Sequence, residues 1–110
     1  MAGYIPERGD LVWLNFGPHV GHKQKGKRPG LVLSPREYNG KSGLAVLCPI
    51  TSQIKGYPFE VRVKSKGISG VVLADHIKSL DWDVREIEYV GTVRPSIVSE
   101  VQEKLQALLF

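Results

Sequence analysis

The sequence predicts a mainly β protein, a small antiparallel β-barrel with one C-terminal α-helix. Short apolar or alternating runs recur between turns marked by Gly and Pro, the pattern of many short strands closing on themselves. The one long helical stripe comes last, with apolar residues at Ile97, Val98, Val101, Leu105, Leu108 and Leu109. A length of 110 residues, 42% hydrophobic and 24% charged, suits one domain spanning 1–110 with a core of its own.

Residues 10–16 (Asp-Leu-Val-Trp-Leu-Asn-Phe) are apolar on both alternating faces, which predicts a strand buried on both sides, stopped by Gly17 and Pro18. Residues 17–28 read as a long polar, basic loop, and 30–34 as a second strand ended by Pro35. At 38–43 a tight turn is expected, with Asn39-Gly40 supplying the positive φ of a hairpin. Residues 44–50 form the next strand and 51–57 a second polar loop. From 58 to 64 the alternation is clean: Phe59, Val61 and Val63 face one way, Glu60, Arg62 and Lys64 the other, as in a half-exposed antiparallel strand. Further strands are expected at 70–74, 77–82 and 86–93. Pro95 sits in the first turn of the terminal helix, where its missing N–H costs nothing. The closing Leu108-Leu109-Phe110 reads as core in preference to a subunit contact.

Several function classes are excluded. The single cysteine, Cys48, cannot form an internal disulfide and lies in the apolar run 44–49, which predicts a buried thiol in a reducing compartment. Residues 1–8 lack the apolar segment of a secretion signal, and no run approaches the ~20 apolar residues of a membrane span. A cytoplasmic protein without a membrane partner is expected. His19, His22 and His76 are too scattered for zinc spacing, and there is no phosphate-binding P-loop, dinucleotide fingerprint or Gly-x-Ser-x-Gly elbow, so neither a metal nor a cofactor is expected. Asp75-His76 is discounted as a cooperating dyad, because neighbours on a strand point to opposite faces.

Charge is unevenly distributed. Residues 1–66 hold 11 Lys/Arg against 4 Asp/Glu, and residues 67–110 hold 4 against 7. A basic half points to a polyanionic partner, although solubility alone also accounts for it. The most basic segment carries Lys23, Lys25, Lys27 and Arg28 without an acid, and Gly21 and Gly26 let the backbone approach a ligand. It suits phosphate contacts or a merely solvated loop. Arg28 differs, since Pro29 biases it to extended backbone at the mouth of a strand. There its guanidinium can grip a phosphate through two parallel hydrogen bonds, or form a structural ion pair with a carboxylate such as Asp75. Thr51-Ser52-Gln53 emerges from an apolar strand and can donate to a phosphate or cap a turn.

In order along the chain, Gly9-Asp10-Leu-Val-Trp13, Gly21…Gly26-Lys-Arg28-Pro29, Val32-Leu-Ser-Pro35, Pro49-Ile-Thr51-Ser-Gln53, Lys55-Gly-Tyr-Pro-Phe-Glu60, Gly70-Val-Val-Leu-Ala-Asp75 and Gly91-Thr-Val…Pro95 resemble the MazF family, also called PemK or Kid. The resemblance covers nearly the whole chain. It implies an SH3-like β-barrel, a homodimer, and a toxin that cleaves single-stranded mRNA without a metal. It also implies a cognate MazE-like antitoxin whose acidic tail covers the RNA site. By this resemblance Arg28 and Thr51 are the catalytic pair, with Ser52 and Gln53 beside them in the site; Lys23, Gln24, Lys25 and Lys27 of the basic loop, together with Ser52, Gln53, Lys55, Tyr57 and Lys78, are expected to contact RNA. The implied reaction is attack of the ribose 2′-OH on its own phosphodiester, leaving a 2′,3′-cyclic phosphate and a 5′-OH. A guanidinium holds its proton near neutral pH, so Arg28 stabilises charge and does not accept protons, and the proton acceptor stays unassigned.

Lys23 stands where many members of the family carry Glu, so reduced cleavage with retained RNA binding is expected. Two rival readings share the fold. One is a gyrase-inhibiting toxin, which acts through a tryptophan-bearing helix end. This chain ends Ala107-Leu-Leu-Phe110, with its tryptophans at Trp13 and Trp82. The other is a non-catalytic SH3-like RNA-binding module.

Overall fold

A computed structural model describes residues 3–17 and 26–110. The chain runs β1 (Asp10–Asn15), β2 (Lys27–Val32), α1 (Arg36–Ser42), β3 (Ala45–Thr51), β4 (Glu60–Ser65), β5 (Ile68–Leu73), a 3-10 turn (Ala74–His76), β6 (Lys78–Leu80), β7 (Glu88–Thr92) and α2 (Pro95–Leu109). The strands form one curled sheet in the order β4-β5-β3-β2-β1-β7, with β6 pairing beside β3. Every pairing is antiparallel. The ladder is open between β4 and β7, and α2 packs against β4 and the 3-10 turn.

β3 is the hub. One edge pairs with β2 in the register Gly30↔Pro49, Leu31↔Cys48 and Val32↔Leu47. Its other edge is shared: the first half pairs with β6 and the last two residues with β5. The strands expected at 70–74 and 77–82 thus form two short segments on one edge, joined by the 3-10 turn.

Apolar side chains fill both sides of the central strands. Leu11, Leu31, Cys48 and Ile50 join Val61, Val63, Val72, Val98 and Val101 in one core. Val12, Leu14, Val32, Ala45 and Leu47 join Leu80 in the other. Residues that alternate along β1 enter different cores, the two-sided burial read from 10–16. Trp13 is the outlier, 37% exposed. On β4 the alternation holds, with Val61 and Val63 buried and Arg62 and Lys64 exposed. Asp10 ties the ends together, accepting from the Tyr4 hydroxyl at 2.7 Å, the Glu7 N–H at 3.0 Å and the Thr92 hydroxyl at 3.2 Å.

Two expectations are corrected. The hairpin turn at 38–43 is the helix α1, and Gly40 has no positive φ; that conformation falls on the C-cap, Gly43 (φ 75°), whose N–H bonds the Asn39 carbonyl. Asn39 is fully buried. Its amide donates to the Pro6 and Ser34 carbonyls at 2.8 and 3.0 Å, and its Oδ1 accepts from the Ser34 hydroxyl at 2.6 Å. A side chain that looked like turn chemistry instead satisfies two backbone carbonyls in the interior. The second correction concerns the C-terminus. Leu108, Leu109 and Phe110 are 43%, 58% and 94% exposed, because α2 outruns the sheet that buries Val98 and Val101. Among the described residues no helix is long and apolar enough to cross a membrane.

Asn39→Ala strands two buried carbonyls and a hydroxyl. It is expected to destabilise the fold by about 2–3 kcal/mol in chemical denaturation, with the slope of unfolding unchanged.

Candidate functional site: a cationic cleft across β3

The β2–β3 register, carried two residues beyond Gly30↔Pro49, sets Arg28 opposite Thr51. The β2–β3 pairing ends at Gly30↔Pro49, beyond which Pro29 has no N–H to offer β3, and the side chains that follow open onto a cleft. The cleft holds about 550 Å³ and is lined by Phe16, Gly17 and Gly26 at the two ends of the basic loop and by Arg28, Pro49 and Thr51 on the strands. Gln53, Lys55, Tyr57 and Glu60 come from the second loop and its exit, and Leu73, Asp75, His76 and Lys78 from the far side of β3. A second groove, of about 530 Å³, shares Arg28, Thr51 and Gln53 and adds Trp13, Ser52 and Ile68. Arg28 and Thr51 therefore form a saddle between two depressions.

Thr51 is held from behind. Gly70 of β5 lies so close that an added Cβ would run into the Thr51 carbonyl. The Thr51 hydroxyl oxygen accepts the Gln53 N–H at 3.1 Å, so it caps a turn and still has its own O–H to donate outward. Both sequence-derived roles of this segment are compatible in one geometry. Arg28 is exposed and, among the described residues, makes no ion pair; the structural bridge to Asp75 does not form.

Of the other expected contacts, Gln53, Lys55, Tyr57 and Lys78 line the cleft and Ser52 the neighbouring groove. Lys27 instead pairs with Glu88 of β7 at 3.1 Å. Lys23, Gln24 and Lys25 lie outside the described residues, as do His19 and His22.

The sequence reading missed or misjudged several groups. Glu60 looked like a solvent-facing strand residue. Its carboxylate accepts the Lys55 and Gly56 N–H groups at 3.2 and 2.9 Å, shaping the loop that carries Lys55 and Tyr57. Arg85 donates to the Asn15 and Gly17 carbonyls at 3.0 and 2.7 Å and to Asp81 at 2.6 Å. It fixes the exit of β1, and its guanidinium holds the Asp81 carboxyl below its usual pKa. Nothing local in the sequence marks it. Asp75-His76 was discounted as strand residues, but they sit in the 3-10 turn, where successive side chains are about 120° apart and both can reach one side. Both line the cleft, with His76 Nε2 3.9 Å from Asp75 Oδ1. Cys48, as expected, is buried beneath. Burial, with the Asp75 charge second, pushes its thiol up to about 12, so it stays a neutral core residue. Among the described residues no three His, Cys, Asp or Glu converge as metal ligands.

A curled antiparallel sheet with a terminal helix and an arginine–hydroxyl saddle between two grooves defines a small β protein with a candidate ligand-binding face. The chain belongs to the PemK-like, MazF-like toxin family of type II toxin–antitoxin systems, whose sequence profile matches residues 7–109. It is 43% identical over 109 residues to the endoribonuclease toxin MazF of Escherichia coli strain K12, covering 99% of this chain and 98% of that one. Among solved structures it is similar to MazF of Deinococcus radiodurans, with TM-score 0.88, 54% identity and 97% and 98% of the two chains covered. It is also similar to a chain of the MazE–MazF complex of that organism, with TM-score 0.86, 51% identity and 97% of each chain covered.

Gly70→Ala forces β5 and the Thr51 carbonyl apart. It is expected to cost about 1–3 kcal/mol of stability by thermal or chemical denaturation, whereas Gly40→Ala, whose added Cβ would meet only Ile5 at ordinary contact distance and which has no positive φ, is expected to cost much less.

Proposed function

We propose that this chain is the toxin of a type II toxin–antitoxin pair and a metal-independent endoribonuclease that cuts single-stranded mRNA at specific sequences. The observation that carries the reading is the convergence of Arg28 and Thr51 on one saddle, flanked by two grooves of about 550 and 530 Å³. The E. coli relative is an endoribonuclease toxin.

In the proposed reaction the ribose 2′-oxygen attacks the adjacent phosphorus, the O2′–P bond forms and the P–O5′ bond breaks. The products carry a 2′,3′-cyclic phosphate and a 5′-OH. Charge on the non-bridging oxygens rises as phosphorus becomes five-coordinate. Arg28 can meet two of those oxygens with parallel N–H groups, and Thr51 can donate its hydroxyl to one. No metal is required to make a nucleophile, because the substrate brings its own. Lys55 and Lys78 supply positive charge for neighbouring phosphates, whereas Lys27 contributes less because Glu88 holds it.

The chain acts as a cytoplasmic homodimer restrained by a MazE-like antitoxin. Support comes from the D. radiodurans MazF, which was crystallised with MazE, and from a cleft whose positive charge suits an acidic peptide as well as RNA. Lys23 adds a charge where many members have Glu, which favours binding over turnover.

RNA incubated with the protein in EDTA is expected to yield fragments with 5′-OH ends. Arg28→Ala is expected to lower the single-turnover rate by at least about 10²-fold with the fold intact by circular dichroism; full activity in that variant removes Arg28 from the mechanism. Lys23→Glu is expected to speed cleavage and weaken RNA binding. A variant that cuts no faster than the parent rules out attenuation by Lys23.

A further inference from the structure

The reaction needs a group that takes the 2′-OH proton, and the geometry points to His76, held by Asp75, as that acceptor. This inference rests on the ribonuclease reading above. The cleft contains three described groups able to accept a proton near neutral pH: Glu60, Asp75 and His76. Glu60 is committed, since its two oxygens accept the Lys55 and Gly56 N–H groups and shape their loop. Asp75 faces His76, with Oδ1 3.9 Å from Nε2. His76 is left, and an imidazole is the side chain most often used as a general base.

Placement agrees. β3 runs through the middle of the site with Arg28 on the β2 side and the 3-10 turn on the other, anchored where the Cys48 thiol meets the Ala74 carbonyl at 3.8 Å. β3 alone lies between the strand that carries Arg28 and the 3-10 turn that carries His76. A phosphate seated over Pro49–Thr51 is thereby gripped by Arg28 and Thr51 from one side. Its ribose is presented to His76 from the other. The imidazole is 54% exposed, so it can reach substrate without a rearrangement of the core.

In the step, His76 takes the 2′-OH proton as the O2′–P bond forms. The 5′-oxygen leaves with the P–O5′ electron pair and takes a proton from water. The imidazolium then returns its proton to the hydroxide left behind, so the cycle closes with no oxidant or metal consumed. Asp75 is a positioning residue that favours the imidazolium. The other charges around the cleft are Arg28 from β2, Lys55 and Glu60 from the loop and β4, and Lys78 from β6; α2 contributes the apolar Val98, Val101 and Leu105 to the core that includes Ala74.

The test is single-turnover cleavage from pH 5 to 9 by the parent and by Lys23→Glu, each with and without His76→Gln. RNA affinity and melting temperature are measured alongside. His76→Gln is expected to slow cleavage by about 10²-fold or more and to abolish the rise in rate with pH, with affinity and melting temperature little changed. Added imidazole is expected to restore part of the rate to His76→Ala. Asp75→Asn is expected to shift that rise to lower pH. Cleavage by His76→Gln at the parental rate with the same pH dependence overturns the role of His76 and leaves the ribonuclease reading standing. Absence of cleavage by both the parent and Lys23→Glu sinks the two together.

Discussion

The structure depends on β3 being paired along both edges and covered on both faces. A strand so enclosed has one register that satisfies its backbone groups and sorts its side chains, because a slip by one residue would exchange Cys48 and Ile50 with Leu47 between two separate cores. That register decides which residues emerge together at its end. Arg28 and Thr51 meet there, and the 3-10 turn is carried against the opposite edge by β5 and β6. The cleft is what remains where pairing stops, at Pro29, which has no N–H to continue the ladder to β3.

Charge at the site follows the same logic. Lysines in this half of the chain are similar in type but differ in what holds them. Lys27 is drawn to Glu88 and away from the cleft, while Lys55 is presented by a loop whose turn Glu60 stabilises. Arg28 has no carboxylate partner among the described residues, so its hydrogen-bonding capacity is available to a ligand. A cation on a strand end loses less freedom on binding than one on a long loop, which makes it the better group to stabilise a transition state.

The features legible in the sequence were those with a local cause. Alternation at 58–64, two-sided burial at 10–16 and the stripe of α2 follow from side-chain periodicity alone, and the structure places these elements close to their expected bounds. The buried Cys48 follows from its apolar neighbours. Ala74-Asp75-His76 was misread because no Gly or Pro announces its turn; the bend arises because β3 accepts two different partners in succession. Asn39-Gly40 misled for the opposite reason, as a strong turn signal overridden by a buried site that Asn39 fills.

By itself the sequence determined the strand pattern, the terminal helix, the basic bias of its first part and the placement of Arg28 and Thr51 at strand ends. These depend on residues a few positions apart, where periodicity and proline geometry act directly. Only the tertiary structure decided that Asn39 is an interior strut, that Glu60 and Arg85 shape the rim, and that Asp75 and His76 share the cleft with Arg28. Those roles require partners brought together by folding, 33 positions away for Asn39 and Pro6 and 70 for Arg85 and Asn15. A side chain's neighbours at that range are set by which strands pair, and strand pairing is a property of the whole sheet.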